Sequence, residues 1–312
     1  MSGQVQMYRF DETVSPSRGG VSVRGRGVNG QDGGVVQASM YPFDLGIPGL
    51  NIRFSYDRVH DGFFSPRHHH NFDQFRYVLS GSINIGKNID LVEGECGYFP
   101  EGTYYGPQDQ KGEGVQLVMQ FPGPEAAYYM LGGESRAASE KLVAAGGVFE
   151  NGAYRFTGPD GRASNKDGFE AVWEAHNGQP VRYSDQRYKD PVMMKTAAFR
   201  WLPDARRPGV EIKHLGTFNE YRTSLAEWRL QPGTVLAGER LEAPEFRFVL
   251  RGEVIYAGKE LPQYSCLYIP DGVETQPLES RGGAELLVIG VPMYVREIWQ
   301  RAHQQTLAAA AR

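Results

Sequence analysis

The feature that most constrains this chain is that it contains itself twice. The segment DQFRYVLSG at 73–81 returns as PEFRFVLRG at 244–252, with Phe, Arg, Val, Leu and Gly in the same places. CGYFPEG at 96–102 returns as CLYIPDG at 266–272, sharing Cys, Tyr, Pro and Gly. Leu117-Val118 and Pro122 match Leu287-Val288 and Pro292, and Gly62 matches Gly233 upstream. The blocks keep one order and a nearly constant spacing, with one residue lost in an intervening turn. A repeat of this kind means two copies of one structural unit. At 312 residues the chain is long enough for each copy to bury its own core.

Each copy reads as β structure. Phe75, Tyr77 and Leu79 alternate with Arg76 and Val78 up to Gly81, and Ile83 and Ile85 continue the alternation. A strand follows at Gly97–Pro100, then a turn at Glu101-Gly102, then an apolar strand at Val115–Phe121. The 39 glycines and 19 prolines suit many short strands joined by tight turns. The expected organisation is a barrel over 1–130, a partly helical linker over 131–195 and a second barrel over 196–312. Within the linker, Glu134–Ala145 is alanine-rich and helical in character, and Asp167 caps a second helix reaching His176. Asn151–Asn165 is polar and glycine-rich, a hairpin or loop. Val295–Ala310 is expected to be a terminal helix docked on the second barrel.

A net charge of −4 offers no footprint for nucleic acid. Arg18, Arg24 and Arg26 lie among glycines and read as solvated chain. No apolar run of membrane-spanning length and no secretory pattern occur, so no membrane partner and a cytoplasmic location are expected. Cys96 and Cys266 are too few for a disulfide framework and are expected to be reduced and buried.

In the first copy Gly62, His68, His70, Gln74 and Gly81 stand in a fixed order, followed by Gly94, Pro100, Gly102 and Tyr105. This spacing resembles the two sequence motifs of the cupin superfamily, and with the repeat it implies a bicupin: an all-β chain of two fused antiparallel barrels with a few peripheral helices. In cupins, three histidines and a glutamate bind a divalent metal inside the barrel. The resemblance places His68, His70, Gln74 and Tyr105 at those ligand positions, with glutamine for glutamate and tyrosine for the third histidine. It implies Fe(II) first, with Zn, Ni, Mn or no metal as alternatives. Independently of the family, residues two apart on a strand share a face, so His68 and His70 share one wall and Gln74 shares a face with Arg76. A buried arginine needs an anionic partner, either a structural carboxylate or a substrate carboxylate. Asp73 could orient a histidine ring, and His69 should face away. Tyr105, Arg76 and Asp73 are the candidate catalytic residues. In the second copy the four motif positions become Glu239, Leu241, Glu245 and Thr275, which makes a metal site there improbable and pairs the glutamates with Arg247 or solvent.

Three functions follow. The first is a metal-dependent enzyme, of dioxygenase type, on a small organic molecule; Phe63, Phe64, Phe72, Tyr98 and Tyr104 suggest an aromatic rim. The second is metal-free acid–base catalysis by a histidine and Tyr105, as an isomerase, lyase or cyclase. The third is a small-molecule-binding bicupin without catalysis. A homodimer, through the N-terminal segment or the sheet edges, is left open.

Overall fold

The computed structural model describes residues 4–9, 35–40, 52–122, 132–219 and 222–291. In chain order the strands are β1 (Gln6–Arg9), β2 (Val35–Met40), β3 (Arg53–Val59), β4 (Phe64–Ser65), β5 (Phe72–Gly86), β6 (Ile89–Val92), β7 (Cys96–Phe99), β8 (Gln108–Asp109) and β9 (Gly114–Pro122). Helix α1 (Gly132–Ala144), hairpin strands β10 (Val148–Glu150), β11 (Ala153–Thr157) and β12 (Ala163–Asp167), helix α2 (Gly168–Asn177) and β13 (Val192–Met194) follow. The second copy holds β14 (Leu202–Pro203), β15 (Val210–Thr217), β16 (Ser224–Leu230), β17 (Thr234–Leu236), β18 (Glu245–Tyr256), β19 (Lys259–Pro262), β20 (Ser265–Ile269), β21 (Leu278–Ser280) and β22 (Ala284–Gly290). The class is all-β with few helices. The expected terminal helix at 295–310 lies outside the described residues, as do Arg18, Arg24 and Arg26. No helix among the described residues is long and apolar enough to cross a membrane.

Two compact units divide the chain, and they do not follow its order. In the unit that holds the first copy, the main sheet runs β13-β7-β5-β9-β3-β2. In the other it runs β1-β20-β18-β22-β16-β15-β14. Gln6–Arg9, placed by its position in the sequence with the first barrel, pairs instead along β20, with Tyr8 opposite Cys266. The linker end β13 pairs along β7, with Met194 opposite Cys96. Each unit thus receives its edge strand from the segment that precedes the other unit's barrel in the chain. Both cysteines are buried free thiols, each on the strand along which its own unit's edge strand pairs.

The repeated glycine that closes FRYVLSG and FRFVLRG has a physical cause. β5 bulges between Val78 and Ser80 against β9, and β18 bulges between Val249 and Arg251 against β22. Just after each bulge the backbone turns left-handed, at φ +68° for Gly81 and +73° for Gly252. A Cβ there would lie 2.4 Å from the carbonyl oxygen of Glu113 or of Gly283, respectively. Only glycine meets both demands.

The linker belongs with the first barrel's unit. Asp167 caps α2 by accepting from the Glu170 N–H at 3.0 Å, and Gly178 ends the helix in the left-handed region. The buried face of α2, with Phe169, Val172 and Trp173, packs on Ala138 of α1 and on Phe72 of β5. The second barrel holds an apolar core cluster built from residues such as Trp228, Val249, Leu267, Ile269, Leu286 and Val288.

Gly252→Ala is expected to cost about 1–3 kcal/mol from backbone strain alone, and more from the carbonyl clash. Gly258→Ala, also left-handed at φ +74° but with open space around it, carries only the strain. Urea midpoints of the two variants should differ with Gly252→Ala lower; equal midpoints would contradict the clash.

Candidate active site

The period-two rule splits β5 into two buried faces. Gln74 and Arg76 point into the first barrel, where they line a cavity of about 130 Å³ with His68, His70 and Tyr105. Asp73 and Phe75 take the opposite face, where Phe75 packs on Tyr98 and Phe121. His68 and Tyr105 are tied by paired backbone hydrogen bonds of 3.0 and 2.9 Å, which hold the two motifs in register.

At the centre stands the Tyr105 hydroxyl. It lies 2.9 Å from His70 Nε2 and accepts from Arg76 Nη2 at 2.8 Å. A guanidinium only donates, so the phenol's own proton is left for His70. The His70 ring is stacked on Phe72 at 4.4 Å and meets Phe169 of α2 edge-on at 5.3 Å. The linker helices therefore wall the site. His68 Nδ1 donates to the Pro66 carbonyl at 2.6 Å, which leaves Nε2 as its lone-pair nitrogen. Arg76 also lies over the Phe99 ring at 4.7 Å, a cation–π contact.

The Gln74 amide is satisfied with its oxygen toward Arg76, accepting from Nε at 2.9 Å and Nη2 at 3.1 Å. Its other end lies 2.8 Å from the Gln120 amide, which in turn lies 3.2 Å from Arg53 Nη1. Arg53, Gln116 and Gln120 line the same cavity, with Asp57 as the carboxylate among them. Sequence reading missed these four. Their signal was polar residues set into an otherwise apolar strand, visible at Gln116 and Gln120, either side of Val118 on one face, only once the strand's inner face is known.

As arranged, the motif donors are spent on one another and do not fit a resident divalent ion. Of the four positions two are imidazoles, and one of these is committed to the phenol. The Gln74 oxygen is held by Arg76, and the same guanidinium sets a fixed cation 2.8 Å from the Tyr105 oxygen. Among the described residues no three His, Cys, Asp or Glu side chains come together as a metal would need. The Fe(II) implied by the resemblance finds no ready ligand set.

Asp73 is not in the cavity. It accepts from the Glu101 N–H at 2.7 Å and from the Tyr98 hydroxyl at 3.0 Å, and Arg187 approaches at 3.4 Å. Burial, with the Asp73 carboxylate beside it, pushes the Tyr98 phenol well above its ordinary range. Asp73 thus fastens the chain after α2 from the strand face opposite the cavity. Along that stretch Tyr183 stacks on His69 at 3.7 Å, Gln186 donates to the Gly102 carbonyl at 3.2 Å and Thr103 donates to the Tyr188 carbonyl at 3.0 Å. Nor does an aromatic rim form: Phe63 reaches the cavity, while Phe72 and Tyr98 are packed away from it and Tyr104 lies outside on His69.

The second copy places charge at the corresponding positions. Arg247 is 3% exposed and donates to Glu245 and Glu239 at 2.6 Å each. Arg207 adds a contact to Glu239 at 3.2 Å, and both guanidiniums lie over Trp228. Burial opposes the charge on Glu239, but Arg247 and then Arg207 outweigh it and hold its carboxyl below the ordinary 4.5.

No protein-family model and no curated protein matches this sequence. Solved structures do match. A "putative dioxygenase" from Nostoc punctiforme aligns over 84% of this chain and 84% of its own, at 11% identity and a TM-score of 0.53. Oxalate decarboxylase from Bacillus subtilis aligns over 92% of this chain and 76% of its own, at 14% identity and a TM-score of 0.51. A glyoxylate-induced protein of Pseudomonas aeruginosa, so described provisionally, aligns over 83% and 81% at 11% identity and 0.50. All are bicupins, and the fold of this chain is the bicupin fold.

Because the Glu239 carboxyl is held low, its contribution to stability is present above pH 4.5 and is lost as pH falls through the lower folded value. Glu239→Gln should therefore unfold more easily at neutral pH, by about 1–3 kcal/mol for the lost charged hydrogen bonds. The gap to wild type should close in strongly acid solution. Denaturant melts at both pH values check this; a gap that widens in acid would refute it.

Proposed function

We propose that the first barrel is the reaction site of a small-molecule enzyme that moves protons with His70 and Tyr105 and needs no resident metal. The observation that carries this is the His70–Tyr105–Arg76 chain, joined at 2.9 and 2.8 Å in the lining of the first barrel's cavity. The base and the acid share one hydrogen bond. As the Tyr105 hydroxyl delivers its proton to the substrate, the His70 Nε2 lone pair it occupied is freed and takes a proton from a carbon or hydroxyl elsewhere on the same molecule. The proton then crosses the 2.9 Å hydrogen bond from His70 to Tyr105 and restores both groups. Arg76 stabilises negative charge on the phenol oxygen while its proton is away. Isomerisation or elimination fits this cycle, since neither consumes an electron acceptor. The second barrel, whose Arg247 is paired with Glu239 and Glu245 and which has no histidine at the motif positions, is read as scaffold.

The second reading is a metal-dependent oxygenase using Fe(II) or Mn(II). His68 favours it, because its Nδ1 bond to the Pro66 carbonyl leaves Nε2 able to ligate. So does the fold, since one related structure describes Mn(II) centres in oxalate decarboxylase. It requires His70, Tyr105 and Gln74 to release their present partners.

Elemental analysis decides between the two. Wild-type protein is incubated with Fe(II), Zn(II), Ni(II) or Mn(II), desalted and measured beside a His68→Ala, His70→Ala variant. The acid–base reading expects well under one ion per chain in both. A full equivalent that disappears in the variant would replace it with the metal-dependent reading.

A further inference from the structure

The first cavity is lined by four glutamines, Gln74, Gln108, Gln116 and Gln120. Three of them are engaged with the protein. Gln74 accepts from Arg76 at 2.9 and 3.1 Å, Gln120 accepts from Arg53 at 3.2 Å, and Gln108 donates to the Asn84 carbonyl at 2.6 Å. Gln116 differs. It is 5% exposed, and its buried Oε1 has no hydrogen-bond partner among the described residues. Its cross-strand neighbours are Val78 on β5 and Asp57 on β3. An alkyl group has no proton to give, and an ionised carboxylate only accepts. A buried amide oxygen in this state carries the full cost of its lost hydration, which a donor on a bound molecule recovers.

The second copy shows that the barrel does not demand a glutamine here. In strand register Gln116 stands between Asp57 and Val78, whereas its counterpart Leu286 stands between Trp228 and Val249. All three residues of that second row belong to the apolar core cluster. Leucine therefore packs at this slot in the same fold, and the amide of the first copy is an addition to it.

Gln116 is also close to the reacting groups. Val118, two residues along β9, is opposite Arg76, whose guanidinium donates to the Tyr105 hydroxyl. Two residues along a strand is about 7 Å, which a molecule of a few heavy atoms spans. The cavity, about 130 Å³, falls below the roughly 300–1,000 Å³ of drug-sized sites. At the Tyr105 end, an acid that delivers a proton needs an oxygen lone pair to receive it, and a carbonyl supplies one. At the Gln116 end a hydroxyl fits. It both donates and accepts, so it meets the amide whichever way the amide is turned.

We infer that Gln116 selects the molecule this cavity takes, a small hydroxycarbonyl compound whose hydroxyl donates to Gln116 Oε1 while its carbonyl oxygen faces the Tyr105 hydroxyl. The placement of the carbonyl rests on the acid–base reading of the site. The role of Gln116 rests on its own buried oxygen. Gln116 acts by binding and takes no part in the proton transfer.

The test follows ligands by saturation-transfer NMR against chelator-treated full-length protein. The probes are hydroxyacetone, dihydroxyacetone and glyceraldehyde, with butanone as the counterpart that carries a methyl where hydroxyacetone has its hydroxyl. At least one of the three should bind, and butanone should bind about tenfold more weakly than the best of them, or not at all. Gln116→Leu, which copies the second barrel, should bring that probe down to the level of butanone. It should also melt at or above the wild-type temperature, because it removes an unpaired buried oxygen. Gln116→Met, closer to glutamine in shape, repeats the measurement if Gln116→Leu does not fold. The inference is overturned if none of the three binds, or if butanone binds as well as they do. Wild-type affinity in the variants also overturns it, since water alone then meets the oxygen. So does melting of both variants well below wild type, which makes Gln116 part of the fold. The acid–base reading fails separately, through metal content: a protein that loads a full equivalent of metal yet distinguishes the hydroxyl through Gln116 keeps this inference and loses that mechanism.

Discussion

A buried arginine at the same slot in both barrels sets what each barrel becomes. Arg76 and Arg247 both project inward from the strand that carries the repeat, and both are almost wholly buried. A guanidinium taken from water must find acceptors, or the cost reaches several kcal/mol. In the second copy the acceptors are Glu239 and Glu245, supplied by the chain itself. The charge is neutralised locally. In the first copy the acceptors are neutral, the Tyr105 hydroxyl and the Gln74 oxygen. The positive charge is held in place without being cancelled, and the lining around it stays polar.

That difference separates the two copies electrostatically. Neutral acceptors leave the electrostatic field of Arg76 directed at the Tyr105 oxygen and, beyond it, at His70. A carboxylate in place of Gln74 would quench the field and supply a metal ligand. The neighbouring structures share the bicupin frame at 11–14% identity, a level at which the barrel persists while its lining is free to change.

The linker and the edge strands show how the frame is secured. Asp73 faces away from the cavity on the strand that also carries Gln74, and it ties Tyr98, the Glu101 amide and Arg187 together. One strand thus holds the reactive lining on one face and its fastening on the other. Phe169 of α2 presses against His70 and Phe72, so the segment between the copies also fixes the imidazole.

The sequence by itself determined the duplication, the all-β class, the glycines at the bulges, the Asp167 cap and the inward pair of Gln74 and Arg76. These are local consequences, set by a repeat of residues, a left-handed φ or a period of two. The pairing of Glu239 and Glu245 with Arg247 was also legible, because two acids stood beside one buried base. What only the tertiary structure decided was the rest of the cavity. Arg53, Gln116 and Gln120 come from two strands far apart in the chain, and nothing local distinguishes an inward glutamine from a solvated one. The exchange of β1 and β13 between the units was equally hidden, since a short edge strand carries no mark of which sheet it will join. Asp73 was misread for a related reason. Its neighbour in sequence faces the site, but the pleat turns successive side chains to opposite faces, and only the packed barrel shows which face is the inside.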